Sequence, residues 1–154
     1  MQVNIYTDGS SRGNPGPGGY GIVMIATKHY KEISAGYRKT TNNRMELLAV
    51  IVALESLKLT GLHINIYTDS KYVCEAVEKK WVFGWEKKNF AGKKNADLWK
   101  RFLALYPKNY IAFKWIKGHA GHKENERCDV LATMAADDSK KLLIDDGFET
   151  GLYN

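Results

Sequence analysis

The chain opens with an alternation of apolar and polar residues. Over residues 2–8, Val3 and Ile5 alternate with Asn4 and Tyr6, and this period of two predicts a β-strand. A glycine- and proline-rich stretch at 9–19 then predicts a loop. Similar short apolar runs predict four further strands, at 20–26, 30–38, 64–68 and 110–116.

Between 43 and 59 the pattern changes to a helical one. Met45, Leu48 and Val52 fall near one face, and further apolar residues widen that stripe, so we expect a helix that is buried on most sides. Other helices are predicted at about 70–79, 80–85, 96–105 and 124–141.

The order of these elements predicts an α/β fold in a single domain, 1–154. Three strands joined as a meander, then a helix and a fourth strand, imply a right-handed crossover. The crossover makes strand four parallel to strand one and allows the two to be neighbours. We expect the acidic tail, about 142–154, to be loosely held.

The composition is that of an ordinary globular protein, with 44% hydrophobic and 26% charged residues. No apolar stretch is as long as a membrane span, and the first residues show no basic leader or signal segment. The two cysteines, Cys74 and Cys128, form no disulfide framework. We therefore expect a cytoplasmic monomer that does not associate with membranes.

The positive charge is concentrated in one segment. Residues 79–101 contain eight basic and two acidic residues, a net +6 that equals the net charge of the whole chain. Aromatic residues are interleaved with these lysines, namely Trp81, Phe83, Trp85 and Phe90. A solvated lysine-rich surface is the alternative, but the aromatic residues favour contact with nucleic acid by a basic protrusion at about 79–95. Its lysines Lys87, Lys88, Lys93 and Lys94 are candidates for phosphate contacts.

Four acids occupy positions where elements begin or end. Asp8 and Asp69 end strands one and four, Glu46 lies in the first turn of the long helix, and Asp129 lies early in the last helix. Each alone is explained by capping or turn chemistry. Together they are expected at one sheet edge, where hard oxygen ligands favour Mg²⁺ or Mn²⁺ over zinc.

Six short motifs resemble those of bacterial ribonuclease HI. They are TDGS at 7–10, GNPGPGGYG at 13–21, TNNRME at 41–46, TDS at 68–70, KGHAGH at 117–122 and NERCD at 125–129. The resemblance spans about residues 2–140. It implies a ribonuclease H-like fold, in which a five-stranded mixed sheet of order 3-2-1-4-5 is flanked by helices. It also implies an endoribonuclease that hydrolyses the RNA strand of RNA–DNA hybrids and leaves 5′-phosphate and 3′-hydroxyl ends.

The resemblance further implies a two-metal mechanism. It makes Asp8, Glu46, Asp69 and Asp129 the metal ligands, with Asp8 shared between two Mg²⁺ ions in the substrate complex and Mn²⁺ as a substitute. His119 is implied to assist proton transfer or product departure.

The resemblance also implies separate contacts to the two strands. The residues matched to RNA-strand binding are Gly9, Asn14, Asn42, Asn43 and Glu46. Those matched to DNA-strand or phosphate binding are Lys39, Thr41, Trp81, Trp85 and Asn95.

Three alternatives carry less weight. A zinc site from His119, His122 and Cys128 lacks an apparent fourth ligand and leaves the acids unexplained. An integrase- or transposase-like nuclease shares the sheet and clustered acids, but usually has a Glu as its last catalytic carboxylate. A catalytically inactive hybrid-binding module is disfavoured because every motif acid is present.

Overall fold

The structure is a computed structural model that describes residues 1–118 and 121–152. Its strands are β1 (Gln2–Ser11), β2 (Gly16–Ala26), β3 (His29–Thr40), β4 (His63–Thr68) and β5 (Tyr110–Trp115). Its α-helices are α1 (Asn42–Glu55), α2 (Lys71–Glu78), α3 (Trp81–Lys87), α4 (Ala96–Leu105), α5 (Lys123–Asp137) and α6 (Asp146–Glu149), and a 3₁₀ turn covers Tyr106–Lys108.

The five strands form one mixed sheet in the order β3-β2-β1-β4-β5. β1 pairs with β2 in antiparallel fashion and with β4 in parallel fashion, and Tyr6 lies opposite Tyr67 in the parallel register. This confirms the predicted α/β class and strand order. The parallel register brings the ends of β1 and β4 to the same edge, as the two Asp-containing motifs predicted.

The predicted loop at 9–19 is wrong over most of its length. β1 continues to Ser11, and Ser10 and Ser11 pair with Gly19 and Gly18 of β2. Glycine and proline are typical of turns, but here the glycines serve close packing of a helix on the strand. A Cβ at Gly19 would lie 2.5 Å from the main-chain oxygen of Ala132 in α5, and a Cβ at Gly21, just beyond this segment, would lie 2.2 Å from that of Cys128. The helix α5 therefore approaches β2 only because these side chains are absent.

The helices α1 and α5 cover opposite faces of the sheet. α1 packs on β1 and β2, and α5 packs on β1, β2 and β3. Most residues of α1 are buried, including Leu47, Ile51 and Ala53, which confirms that this helix is central. Both helices end earlier than predicted, α1 at Glu55 and α5 at Asp137, because Ser56 and Asp138 form the C-caps.

The acidic tail differs from the loosely held segment that we expected. Leu143 exchanges main-chain hydrogen bonds with the edge of β3, at Gly36 and Arg38. Asp145 is 7% exposed and accepts hydrogen bonds from both Thr40, at 2.7 Å, and Arg44, at 2.8 Å. Burial alone raises the pKa of Asp145, but these hydrogen bonds outweigh it and leave the pKa below its usual value. The local sequence of the tail does not reveal that a buried arginine lies opposite Asp145.

None of the described helices is long and apolar enough to cross a membrane.

Candidate active site

Four elements bring their carboxylates to one groove. Asp8 lies in β1, Glu46 in α1 and Asp129 in α5, while Asp69 directly follows β4. Ligand oxygens of Asp8, Glu46 and Asp69 lie within 4.8 Å of one another. Asp129 lines the same groove and raises the pKa of Asp8 by its charge. We call this the carboxylate groove, and it brings together the four acids singled out in the sequence.

Gly9 allows α1 to come close enough to place Glu46. A Cβ at this position would lie 2.4 Å from the main-chain nitrogen of Glu46 and 2.7 Å from the carbonyl carbon of Met45. The N–H of Gly9 donates to the Glu46 carboxylate and also to Oδ1 of Asp8, at 3.0 Å. Because that N–H already has two acceptors within the site, Gly9 acts here on the acids themselves. The N–H of Gly9 is therefore not free to donate to RNA in this arrangement.

The acids strongly perturb one another. Burial and then the charge of Asp69 raise the pKa of Asp8 to about 7. Burial, followed by the charges of Asp8 and Asp69, raises the pKa of Glu46 well above its usual range. Crowded, partly desolvated carboxylates favour either a proton or a cation among them. The site therefore fits a divalent ion bound by oxygen ligands.

Trp115 forms a hydrogen bond with Asp69 that the sequence motifs did not indicate. Its indole Nε1 donates to the main-chain oxygen of Asp69 at 3.0 Å. The Nζ of Lys71, at the start of α2, lies 5.1 Å from the Trp115 ring centroid, within the usual range for a cation–π contact. Lys71 also lines the carboxylate groove, so it is a cation at the rim of an acidic site.

Two of the expected RNA-binding amides line the carboxylate groove. Asn42 and Asn43 begin α1 and are exposed beside Glu46. Asn14 does not line this groove, but its Oδ1 accepts from the N–H of Asn42 at 3.1 Å. Asn14 thus connects the β1–β2 loop to the start of α1.

A second groove adjoins the first. It is lined by Trp81, Trp85, Lys93, Lys94 and Asn95, and it shares Asn43 and Tyr72 with the carboxylate groove. We call it the basic groove. The ammonium of Lys93 lies 5.1 Å from the Trp85 ring centroid, so cations and aromatic faces alternate there, as the sequence predicted.

Other residues expected to contact the DNA strand lie elsewhere. Thr41 is the N-cap of α1 and accepts from the N–H of Arg44. Lys39 and Lys87 are exposed and are not among the described residues that line either groove, while Lys88 lines a neighbouring pocket that shares Trp81, Trp85 and Lys93 with the basic groove. Phe90 is buried, so its place among the lysines reflects packing of the protrusion and not contact with a ligand.

His119 lies outside the described residues. Of the zinc alternative, Cys128 is fully buried, and its thiol donates to the main-chain oxygen of Tyr6 at 3.2 Å. Within the described part of the chain, the group of side chains suited to a metal is Asp8, Glu46 and Asp69.

The repulsion between the acids predicts a pH-dependent stability in the presence of a chelator. Because the folded-state pKa of Asp8 is raised from 3.8 to about 7, the wild type loses stability as pH rises through that interval. The variant Asp8→Asn avoids this loss. Its free energy of unfolding should exceed that of the wild type by on the order of a few kcal/mol at pH 8, with the difference fading towards pH 4.

Urea unfolding at several pH values measures this difference. Asp146→Asn, an exposed acid in the tail, is the matched control and should show no such trend. A difference between Asp8→Asn and the wild type that is the same at every pH would contradict the crowding of these acids.

Comparison with known proteins places these features in a family. The sequence profile described as RNase H matches residues 1–137. A ribonuclease H of Desulforamulus reducens is 54% identical over 140 residues, which cover 88% of this chain and 87% of that protein. A ribonuclease H of Shewanella amazonensis is 52% identical over 153 residues, 96% of each chain.

Solved structures agree with the sequence matches. LC9-RNase H1, described as a type 1 RNase H with the type 2 active-site motif, superposes with a TM-score of 0.80 at 28% identity, covering 98% of this chain and 81% of that one. LC11-RNase H1 in complex with an RNA/DNA hybrid gives a TM-score of 0.69 at 27% identity, covering 90% and 99%. These similarities extend over most of the chain and show that it belongs to the ribonuclease H family, as a bacterial ribonuclease HI.

Proposed function

We propose that this protein is an endonuclease that cleaves the RNA strand of RNA–DNA hybrids with Mg²⁺ ions bound by Asp8, Glu46, Asp69 and Asp129. The observation that carries the proposal is the carboxylate cluster, in which oxygens of three acids from separate elements lie within 4.8 Å of one another. Membership of the ribonuclease H family supplies the reaction class. The preference for Mg²⁺, with Mn²⁺ as a substitute, follows from an all-oxygen ligand set.

Each acid has a part in this scheme. Because Asp8 interacts with each of the other three acids, it would be the shared ligand, while Asp69 and Glu46 would complete one ion site and Asp129 the other. When bound, a pair of divalent ions lowers the pKa of a water and stabilises the departing 3′ oxygen, which leaves 5′-phosphate and 3′-hydroxyl ends. Gly9 keeps Glu46 turned into the groove. His119 assists proton transfer or product departure.

The amides at the start of α1 select the RNA strand. Only RNA offers a 2′-hydroxyl, which both donates and accepts a hydrogen bond. The side chains of Asn42 and Asn43 can do the same, and they lie exposed beside Glu46 in the carboxylate groove. The RNA strand therefore lies along this groove, and the scissile phosphate meets the acids.

The basic groove accepts the DNA strand. Lys93 and Lys94 supply charge for phosphates, and Trp81 and Trp85 offer apolar faces to the sugars. The two grooves share a wall, at Asn43 and Tyr72. A duplex can therefore place one strand in each groove at the same time. LC11-RNase H1, whose structure contains an RNA/DNA hybrid, has a similar fold.

We further infer that the protein acts as a cytoplasmic monomer with a single catalytic domain. Both cysteines are buried and free, as expected where thiols stay reduced. The integrase-like and the inactive alternatives are not favoured, since the family profile is that of RNase H and all four acids line one groove.

The scheme predicts that Asp8→Asn abolishes cleavage of an RNA–DNA duplex. The loss should be at least about a thousandfold, because the shared ligand is removed from both ion sites. Labelled RNA–DNA, RNA–RNA and DNA–DNA duplexes, each with Mg²⁺ and with chelator, provide the measurement. Only the RNA–DNA duplex with Mg²⁺ should be cut, and Asp146→Asn should cut it at the wild-type rate. Cleavage by Asp8→Asn at the wild-type rate would remove Asp8 from the mechanism.

The basic protrusion predicts a salt-dependent affinity for the hybrid. Changing Lys87, Lys88, Lys93 and Lys94 to Gln should raise the Michaelis constant and lower the slope of log affinity against log salt by about one per lost phosphate contact. The matched control changes Lys28, Lys58, Lys140 and Lys141 to Gln. Both variants have a net charge of +2, since four is subtracted from +6, but the control should keep the wild-type slope. Equal slopes of log affinity against log salt for the two variants would contradict a specific role of the protrusion lysines in phosphate binding.

A further inference from the structure

The two strands that lead to the acids carry the same short motif. Ile-Tyr-Thr-Asp occurs at 5–8 in β1 and again at 66–69, where β4 ends, and the proposed function uses only the two aspartates. Tyr6 and Tyr67 are direct neighbours in the parallel register. Their rings stack, with centroids 4.7 Å apart and an interplanar angle of 12°. The repeated motif therefore places a pair of stacked aromatic rings beside the pair of acids.

The tyrosine pair lies on the same face of the sheet as the acids of the two strands. Side chains alternate between the two faces along a strand. Ile5 and Thr7 are buried on the side of α1, so Tyr6 and Asp8 point to the opposite face. Two residues of a strand span about 7 Å. A ligand that occupies the carboxylate groove can therefore reach the tyrosine pair along one continuous surface.

The part of this face that β4 and β5 form is open. The helix α5 packs on β1, β2 and β3, whereas on the other two strands His63 and Lys114 are exposed and Tyr110 is 66% exposed. His63 and Tyr110 form a second stack, with ring centroids 4.8 Å apart. An open surface with aromatic rings thus extends from the carboxylate groove towards the opposite edge of the sheet.

The charges on this surface favour a polyanion along its β5 side. Lys114 lies opposite Tyr67 in the register of β4 with β5, and it is exposed. On the α5 side, burial and then the charge of Glu124 raise the pKa of Tyr6, so a negative charge lies near that ring. Phosphates are therefore attracted beside Lys114 and repelled beside Glu124, and the rings between them remain open to uncharged groups.

We propose that Tyr6, Tyr67 and Lys114 form a platform for unpaired RNA that continues from the cleavage site. Its bases stack on the tyrosine rings, and its phosphates lie beside Lys114. This rests on the proposed function, because it takes the RNA strand to lie in the carboxylate groove. Paired bases are held in the duplex, so only nucleotides that have left it can stack on a protein ring. Such stacking accepts any base, so the platform recognises unpaired RNA of any sequence.

Hybrids with and without an unpaired RNA tail test the platform. A duplex just long enough to fill both grooves carries a short tail at the 5′ or the 3′ end of its RNA strand. Affinity is measured by fluorescence anisotropy, with chelator to prevent cleavage. For the wild type, a tail at one of these ends should strengthen binding about tenfold relative to the blunt duplex. Tyr67→Val, which keeps a residue suited to a strand, should lose most of this gain.

Two controls separate stacking from charge and from general effects on the sheet. Tyr30→Val is the matched variant, because Tyr30 is 58% exposed on β3, the edge strand farthest from β5. It should keep the full gain from the tail. A tail that has the same phosphates but no bases should give a smaller gain, and this gain should be the same for the wild type and for Tyr67→Val.

No gain from a tail at either end of the RNA strand would overturn the proposal, and so would a gain that Tyr67→Val retains in full. A gain from tails on the DNA strand alone would overturn it as well. These binding measurements do not depend on cleavage. A wild type that shows the predicted gain but cuts no hybrid would contradict the proposed function alone. Cleavage of blunt hybrids without any gain from a tail would contradict the platform alone.

A second measurement uses only the wild type, in case Tyr67→Val folds poorly without the ring stack. A base that stacks on a tyrosine moves the proton resonances of that ring upfield. The tailed hybrid, added with chelator, should therefore shift the ring protons of Tyr6 and Tyr67 more than the blunt hybrid does, while those of Tyr30 stay in place. Equal shifts with the two hybrids would contradict stacking on the platform.

Discussion

Mutual repulsion among four carboxylates at one end of the sheet is the constraint around which the fold is arranged. Asp8 and Asp69 are brought together by the parallel pairing of β1 with β4, while Glu46 and Asp129 arrive from helices on opposite faces of the sheet. Burial and neighbouring charge raise the pKa of both Asp8 and Glu46. The arrangement costs stability in the free protein, so the surrounding core must keep the acids in place. Fully buried side chains of that core include Ile5, Met45 and Ile66.

The close approach of α1 to β1 depends on the absence of a side chain at Gly9. Gly9 leaves room for the main chain of α1 and donates to Glu46. Gly21 likewise leaves room for the main chain of α5 on the other face. Both helices can therefore bring an acid to the edge of the sheet at which β1 and β4 end. A divalent ion compensates the resulting excess of negative charge, which links the metal requirement of the reaction to the way the chain packs.

The sequence predicted the parts of the structure that depend on local pattern. Strand and helix periods gave the element order, and the acids at the ends of elements indicated their convergence. It failed where a residue's role depends on a distant partner. Phe90 lies in the same lysine-rich segment as Trp85, yet Phe90 is buried whereas Trp85 lines the basic groove. Asp145 lies in the C-terminal tail, about a hundred residues from Arg44 along the chain, yet the two form a buried ion pair.

The two grooves differ in their chemical character. Acids and exposed amides line the first, whereas lysines and indoles line the second. Tyr72 belongs to both, and its hydrogen bonds connect the wall between them to Arg44 and to the tail. One buried arginine therefore connects the wall between the grooves to the C-terminal segment.

Paramagnetic Mn²⁺ tests the central claim most directly, because it broadens the NMR signals of nuclei close to its binding site. Added in small amounts to the wild type, it should first broaden the backbone amide signals of Gly9, Glu46 and Ser70, and this effect should be lost in Asp8→Asn. Broadening that begins elsewhere, or that is the same in Asp8→Asn, would contradict a metal site built from the converging acids.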